Sequence, residues 1–254
     1  MEFQPDEHKQ IILLGVVAGI VVAFKSVVTL SGASILISTD PGLVYLLLAI
    51  IGMIISVYIH EVGHKFIAYR IGYRTNVEGY YPGQVIGVVL AIFTFGFVQF
   101  FTPNTADLEA LPEKRIHKHR RYENPKQQAF IAASGILFSA VFATVLHGAY
   151  LVTSAELLRQ LMIGNILIMV YSLIPFELLG LYMLRISQSI EQLPQSDGLY
   201  IFQYSPVAYM TAASFSLFLS LLLAFTTAIP VFVAVVLGLV CGLGLWFKFF
   251  LEQN

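Results

Sequence analysis

Six stretches of this chain, about twenty to thirty residues long and poor in charge, leave few folds open to it. A helix needs about 20 apolar residues to cross a hydrocarbon core of roughly 30 Å. The stretches are Ile11 to Leu30, interrupted only by Lys25, then about Pro41 to Arg70, Ala129 to Val152, Leu161 to Leu184, Val207 to Ala228 and Val231 to Leu251. The chain is 57% hydrophobic and 11% charged, where a soluble domain carries about a quarter charged residues. That composition excludes an ordinary cytosolic enzyme, a disordered chain and a nucleic-acid binder with a basic face. The single cysteine, Cys241, permits neither a disulfide framework nor a cysteine metal site. The sequence reads as an all-α polytopic membrane protein.

A seventh apolar stretch, Gln84 to Phe101, is rich in glycine, β-branched and aromatic residues. Basic residues decide how it is placed, because cytoplasmic loops carry an excess of Lys and Arg. Lys65, Arg70 and Arg74 follow the second stretch, and Lys114, Arg115, Lys118, Arg120, Arg121 and Lys126 follow residues 84–101. A full crossing by 84–101 would put that second cluster outside. The expectation is therefore six spans with both termini cytoplasmic, and a re-entrant or β-like membrane hairpin over 84–101. Such backbone is tolerated at depth only when buried in protein or lining a cavity.

His60-Glu61-Val62-Gly63-His64 carries the chemistry. Positions i and i+4 share a helix face, so both imidazoles reach one ion, and Glu61 is placed to hold and deprotonate a metal-bound water. Chance supplies about 0.006 such matches in a chain of this composition. Two histidines plus a third ligand leave one position open on zinc. His60 lies roughly 29 Å along the helix from Pro41, towards the cytoplasmic side. His117 and His119, two apart on a charged loop, read as a solvated segment rather than a second metal site. His147 reads as a helix-packing residue, and Asn165 as a partner in an interhelical hydrogen bond.

The stretch Ile59-His-Glu-Val-Gly-His-Lys-Phe-Ile-Ala68 closely resembles the HELGHxxxA-like element of the site-2 proteases, zinc-dependent intramembrane metalloproteases, here of prokaryotic type. The resemblance runs from Val57 to about Tyr209. Ser172-Leu-Ile-Pro-Phe176 is similar to the family's Asn-Leu-Leu-Pro portion, with serine in place of asparagine. Leu193-Pro-Gln-Ser-Asp197-Gly198 is similar to its Pro-x-x-Asp-Gly portion, displaced by an insertion. Phe101-Thr-Pro-Asn-Thr and Ala132-Ala-Ser-Gly135 resemble further family elements, each with departures. The resemblance implies one Zn²⁺ per chain, ligands His60 and His64, Glu61 as general base, and an acidic third ligand. Asp197 is the expected one, its following Gly198 allowing a tight turn. Glu177, a candidate partner of Arg185, and no protein ligand at all stay open. Ser172 and Asn165 are the candidates for touching substrate.

On this reading residues 1–254 form one integral membrane domain. Residues 1–40 are the first span and outer loop, 41–209 the catalytic core, and 207–254 a C-terminal helical pair. The implied function is cleavage of the transmembrane helices of membrane proteins within or near the bilayer of the cell membrane, with the site towards the cytoplasm. The partners are a membrane-spanning substrate and the bilayer, without nucleic acid. Two other classes compete: an inactive relative that binds or escorts membrane helices, and a transporter with a structural metal. The transporter would show two matching halves, and no repeat is evident.

Overall fold

The computed structural model describes residues 2–31, 34–37, 40–110, 124–175 and 196–225. Among them five helices are long and apolar enough to cross a membrane, and the protein is an all-α polytopic membrane protein. The expected span Val231 to Leu251 lies outside the described residues, as do Glu177, Arg185, His117, His119 and Cys241.

Helix α1 is Pro5–Val27, starting six residues before the expected Ile11. Proline opens its first turn, and the Glu7 carboxylate accepts from Gln4 N at 2.6 Å, supplying the N-terminal capping that the apolar pattern alone does not reveal. It ends at Val27, where β1 (Val28–Ser31) turns back antiparallel onto β2 (Ser34–Ile37). Helix α2 is Asp40–Ile71, within a residue of expectation at each end. Gly72, at φ 85°, takes the left-handed conformation that ends it.

Next come β3 (Tyr73–Glu78), α3 (Tyr81–Phe93) and β4 (Thr105–Ala110). β3 and β4 pair antiparallel from Tyr73↔Ala110 to Glu78↔Thr105, so residues 79–104 leave and return at one place. The excursion is a helix with an extended return, and its β structure is confined to the stem. Gln10 Nε2 donates to Tyr81 OH at 2.6 Å near its base, and Lys25 Nζ lies 4.8 Å over the Phe97 ring near its tip. It therefore follows α1 for about 22 Å at 1.5 Å per residue. The tip turns through Phe95 (φ 51°) and Gly96 (φ 75°).

Helix α4 is Pro125–Thr153, its Asn124 side chain accepting from Lys126 N at 3.0 Å. Helix α5 is Glu156–Leu173. It begins before the expected Leu161 and stops well short of Leu184, because Pro175 lacks the amide to continue it. A short α6 (Asp197–Tyr204) and a long α7 (Pro206–Phe225) complete the described chain.

Cross-contacts fix the helix directions without recourse to charge. Gly15 packs on Ile54 and Gly19 on Ile50, so α1 and α2 are antiparallel. Gly63 meets Ser134 while His60 meets Ser139, so α2 and α4 are antiparallel. Ser56 pairs with Asn165 and His60 with Ser172, so α2 and α5 run the same way. One end of the bundle therefore gathers the starts of α1 and α4, the ends of α2 and α5, and the β3–β4 stem. Small residues let the helices approach closely, as membrane packing favours. The outward faces stay apolar: Leu43, Val44, Leu47 and Ile51 of α2 are 55–60% exposed, which is tolerable in lipid and not in water.

Candidate metal centre

His60, Glu61 and His64 stand on consecutive turns of α2, each 2% exposed. Helix α4 aims both imidazoles. His64 Nδ1 lies 2.9 Å from the Ile131 carbonyl, and His60 Nδ1 lies 2.9 Å from Ser139 Oγ. A carbonyl can only accept, so the His64 proton resides on Nδ1 and Nε2 presents its lone pair to the centre. This is how outer partners fix the tautomer of a metal-ligating histidine.

Asp197, the first residue of α6, reaches the same point. Its Oδ2 lies 3.3 Å from Nε2 of His60 and 3.3 Å from Nε2 of His64, and those two nitrogens are 3.1 Å apart. Oδ2 is buried and receives no hydrogen bond among the described residues. The partner of His60 Nδ1 is a hydroxyl that can donate, so Nε2 of His60 can present a lone pair as well, and three lone pairs this close need a positive charge among them. One shared proton would serve one pair, whereas a divalent cation serves all three. Tetrahedral zinc with bonds of about 2.0–2.1 Å places its donors roughly 3.3–3.4 Å apart, close to the separations seen here. Two imidazoles and a carboxylate fit zinc and leave a fourth position open. His60, His64 and Asp197 are thus a buried group able to hold a metal ion.

Ser172 Oγ lies 3.5 Å from His60 Nε2, beside the same centre. Asn165 is not brought there. Its Nδ2 donates to Ser56 Oγ at 2.7 Å and to Leu161 O at 3.1 Å, tying α5 to α2 further along the bundle. His147 is buried in α4, towards its far end.

The sequence reading missed the partners on α4. Ser139 and the Ile131 carbonyl are invisible to a motif search, being 79 and 67 residues from the histidines they orient. Gly135 left a signal, inside Ala132-Ala-Ser-Gly135, yet its purpose shows only in three dimensions: a Cβ there would overlap the ring edge of His64 that carries Nε2. Gly198 is corrected. It does not make a tight turn, since it lies within α6 without a positive φ. It is glycine because a Cβ would collide with the Leu173 carbonyl at the end of α5. Asp197 owes its reach to that close approach and to Ser196, whose Oγ accepts from Leu199 N at 3.3 Å to start the helix.

The model of peptidase family M50 matches residues 48–235, a stretch holding His60, Glu61, His64 and Asp197. No curated protein and no solved structure matches the chain.

Proposed function

The chain belongs to peptidase family M50, and from that premise we propose that it is a zinc-dependent intramembrane endopeptidase cleaving membrane-spanning helices within or near the bilayer. The observation that carries this reading is the convergence of three buried potential ligand atoms, 3.1–3.3 Å apart, on the turn of α2 that also bears Glu61. His60, His64 and Asp197 would hold the ion. Bound there, zinc would supply a Lewis acid for the scissile carbonyl and acidify a water in its open position.

Glu61 is the general base, taking the proton of the attacking water and returning it to the leaving amine. Ser139 and the Ile131 carbonyl keep both imidazoles in one orientation throughout. Ser172 is the residue of α5 best placed to meet substrate backbone beside the ion. A helical substrate has its own amides bonded, so it must unwind locally before cleavage. The excursion of residues 79–104 shelters that step. Its return is anchored where Tyr171 OH donates to Gln99 O at 2.6 Å, next to Ser172.

Replacement of Glu61 by Gln should leave about one zinc per chain and lower cleavage of a model membrane helix by about 10²–10⁴-fold. His60→Ala and His64→Ala should lose the metal as well. Elemental analysis with a cleavage assay separates the readings. Wild-type cleavage by Glu61→Gln would overturn the assignment, and a wild type that holds zinc without cleaving would favour an escort protein.

We place both termini and the centre on the cytoplasmic side of the cell membrane. Arg70 and Arg74 are exposed at that end of the bundle, and the cluster from Lys114 to Lys126 follows β4. Lys65 is buried and does not contribute as a flanking charge. Cysteine introduced as Lys118→Cys should react with an impermeant label only after the cytoplasmic face is opened; labelling of intact cells would reverse the orientation.

A further inference from the structure

The first turns of α1 carry a buried ion pair for which the chemistry at the metal centre has no use. Glu7 is 4% exposed and Lys65 is 6% exposed. Lys65 Nζ lies 2.7 and 2.9 Å from the two Glu7 oxygens, donates to Thr75 O at 3.0 Å, and sits 4.7 Å over the Phe3 ring. Glu7 Oε1 also accepts from Val77 N at 3.1 Å. Thr75 and Val77 are two apart, so these backbone groups share one edge of β3, the edge not taken by β4. A cation and an anion thus occupy two positions where a further strand would bond.

Placement gives the pair its meaning. Lys65 directly follows His64 and stands one helical turn beyond Glu61. Its partners belong to α1 and β3, so three elements meet at one polar knot beside the metal-bearing turn. A buried ion pair is seldom a net source of stability, since an apolar pair of similar volume often does as well or better. What it provides is direction, because charge-assisted hydrogen bonds hold their partners at set distances and angles. The hairpin that rises from this stem returns at Gln99 to Phe101. There Phe101 packs edge-on against Tyr171, with ring centroids 5.6 Å apart, beside Ser172.

We propose that Glu7 and Lys65 are positioning residues: a brace that holds the β3–β4 stem, and the hairpin above it, in register with Glu61 so that an unwound substrate segment is presented correctly. This rests on the protease reading above.

The test uses full-length protein in nanodiscs and the double variant Glu7→Leu/Lys65→Met, which replaces the charges by apolar groups of similar size. We expect a somewhat lower melting temperature, since Gln4 N, Val77 N and Thr75 O lose their partners, but a folded protein with about one zinc per chain and kcat within about twofold, while KM for a model membrane helix rises about tenfold. Hydrogen exchange at the Val77 amide should quicken. A merely structural pair would leave KM unchanged in a stable, zinc-loaded protein, and that result overturns the brace. So does a fall in zinc content parallel to the change in KM. If the double variant does not fold, Glu7→Gln carries the same test, with raised KM supporting the proposal and unchanged KM overturning it. A wild type that cleaves nothing counts against the protease reading alone. Exchange at Val77 in the double variant then decides: quickened exchange supports the brace, and unchanged protection overturns it.

Discussion

Gly135→Ala should yield a folded protein that no longer holds its metal. Alanine is the better helix former by about 1 kcal/mol, so α4 itself gains from the change. The cost falls on His64, because the new methyl would overlap Nε2, Cε1 and Cδ2 of its ring. The helix has nowhere to retreat. Ser134 Oγ donates to Gly63 O at 2.9 Å, and Ser139 holds His60 at 2.9 Å, so α4 is tied to α2 on both sides of residue 135. Gly63 is closed from the other direction, since a Cβ there would lie 2.8 Å from Ser134 O. Relief therefore comes from rotating the imidazole or separating the helices, and either takes a lone pair away from the centre. Altering only an outer partner of a ligand typically costs 10–100-fold in metal affinity, and displacing the ligand itself should cost more. Elemental analysis should find little zinc in a protein whose circular dichroism matches wild type and whose melting falls only as loss of a bound ion requires, with cleavage lost. One zinc per chain and normal cleavage would show that the packing at residue 135 is looser than described.

How far the sequence reveals this architecture depends on the kind of signal each feature leaves. The start of α2 near Pro41 is legible because a proline in the first turn is a local signal, and His60, Glu61 and His64 are legible because i, i+4 spacing is local too. The ends of α1 and α5 are less so. Helices apolar on every face carry no stripe, and only capping at Glu7 and the break at Pro175 delimit them. Lys65 misleads for a physical reason: next to an apolar helix a lysine reads as a flanking charge, and nothing nearby announces Glu7, 58 residues away. Charge on either side of residues 84–101 suggests a segment that returns, but not that its first half is helical, since its β-branched and aromatic content suits a strand equally well. Gly135 and Gly198 show the same limit. A glycine required by a close approach looks in sequence like one required by a turn.

Asp197→Ala should abolish cleavage and weaken zinc binding severely, and Gly198→Ala should do nearly the same with the carboxylate intact. The carboxylate completes a set that otherwise holds two imidazoles, and a catalytic zinc site takes three protein ligands. Its Oδ2 is buried without a hydrogen-bond partner among the described residues, which leaves it free to take a metal ion. Asp197→Asn keeps the shape and removes the charge that balances the ion, so it should retain fold better than metal. Gly198→Ala acts through position. Its Cβ would be forced into the Leu173 carbonyl, pushing α6 off the end of α5 and withdrawing Asp197 from His60 and His64. Agreement between the two would show that the close approach of these helices, and not merely the acid, builds the centre. Glu177→Gln serves as the control. As a carboxylate in an apolar stretch it should affect stability or expression more than catalysis. If Asp197→Ala cleaves a model membrane helix at the wild-type rate, or Glu177→Gln strips the zinc, the third ligand is Glu177.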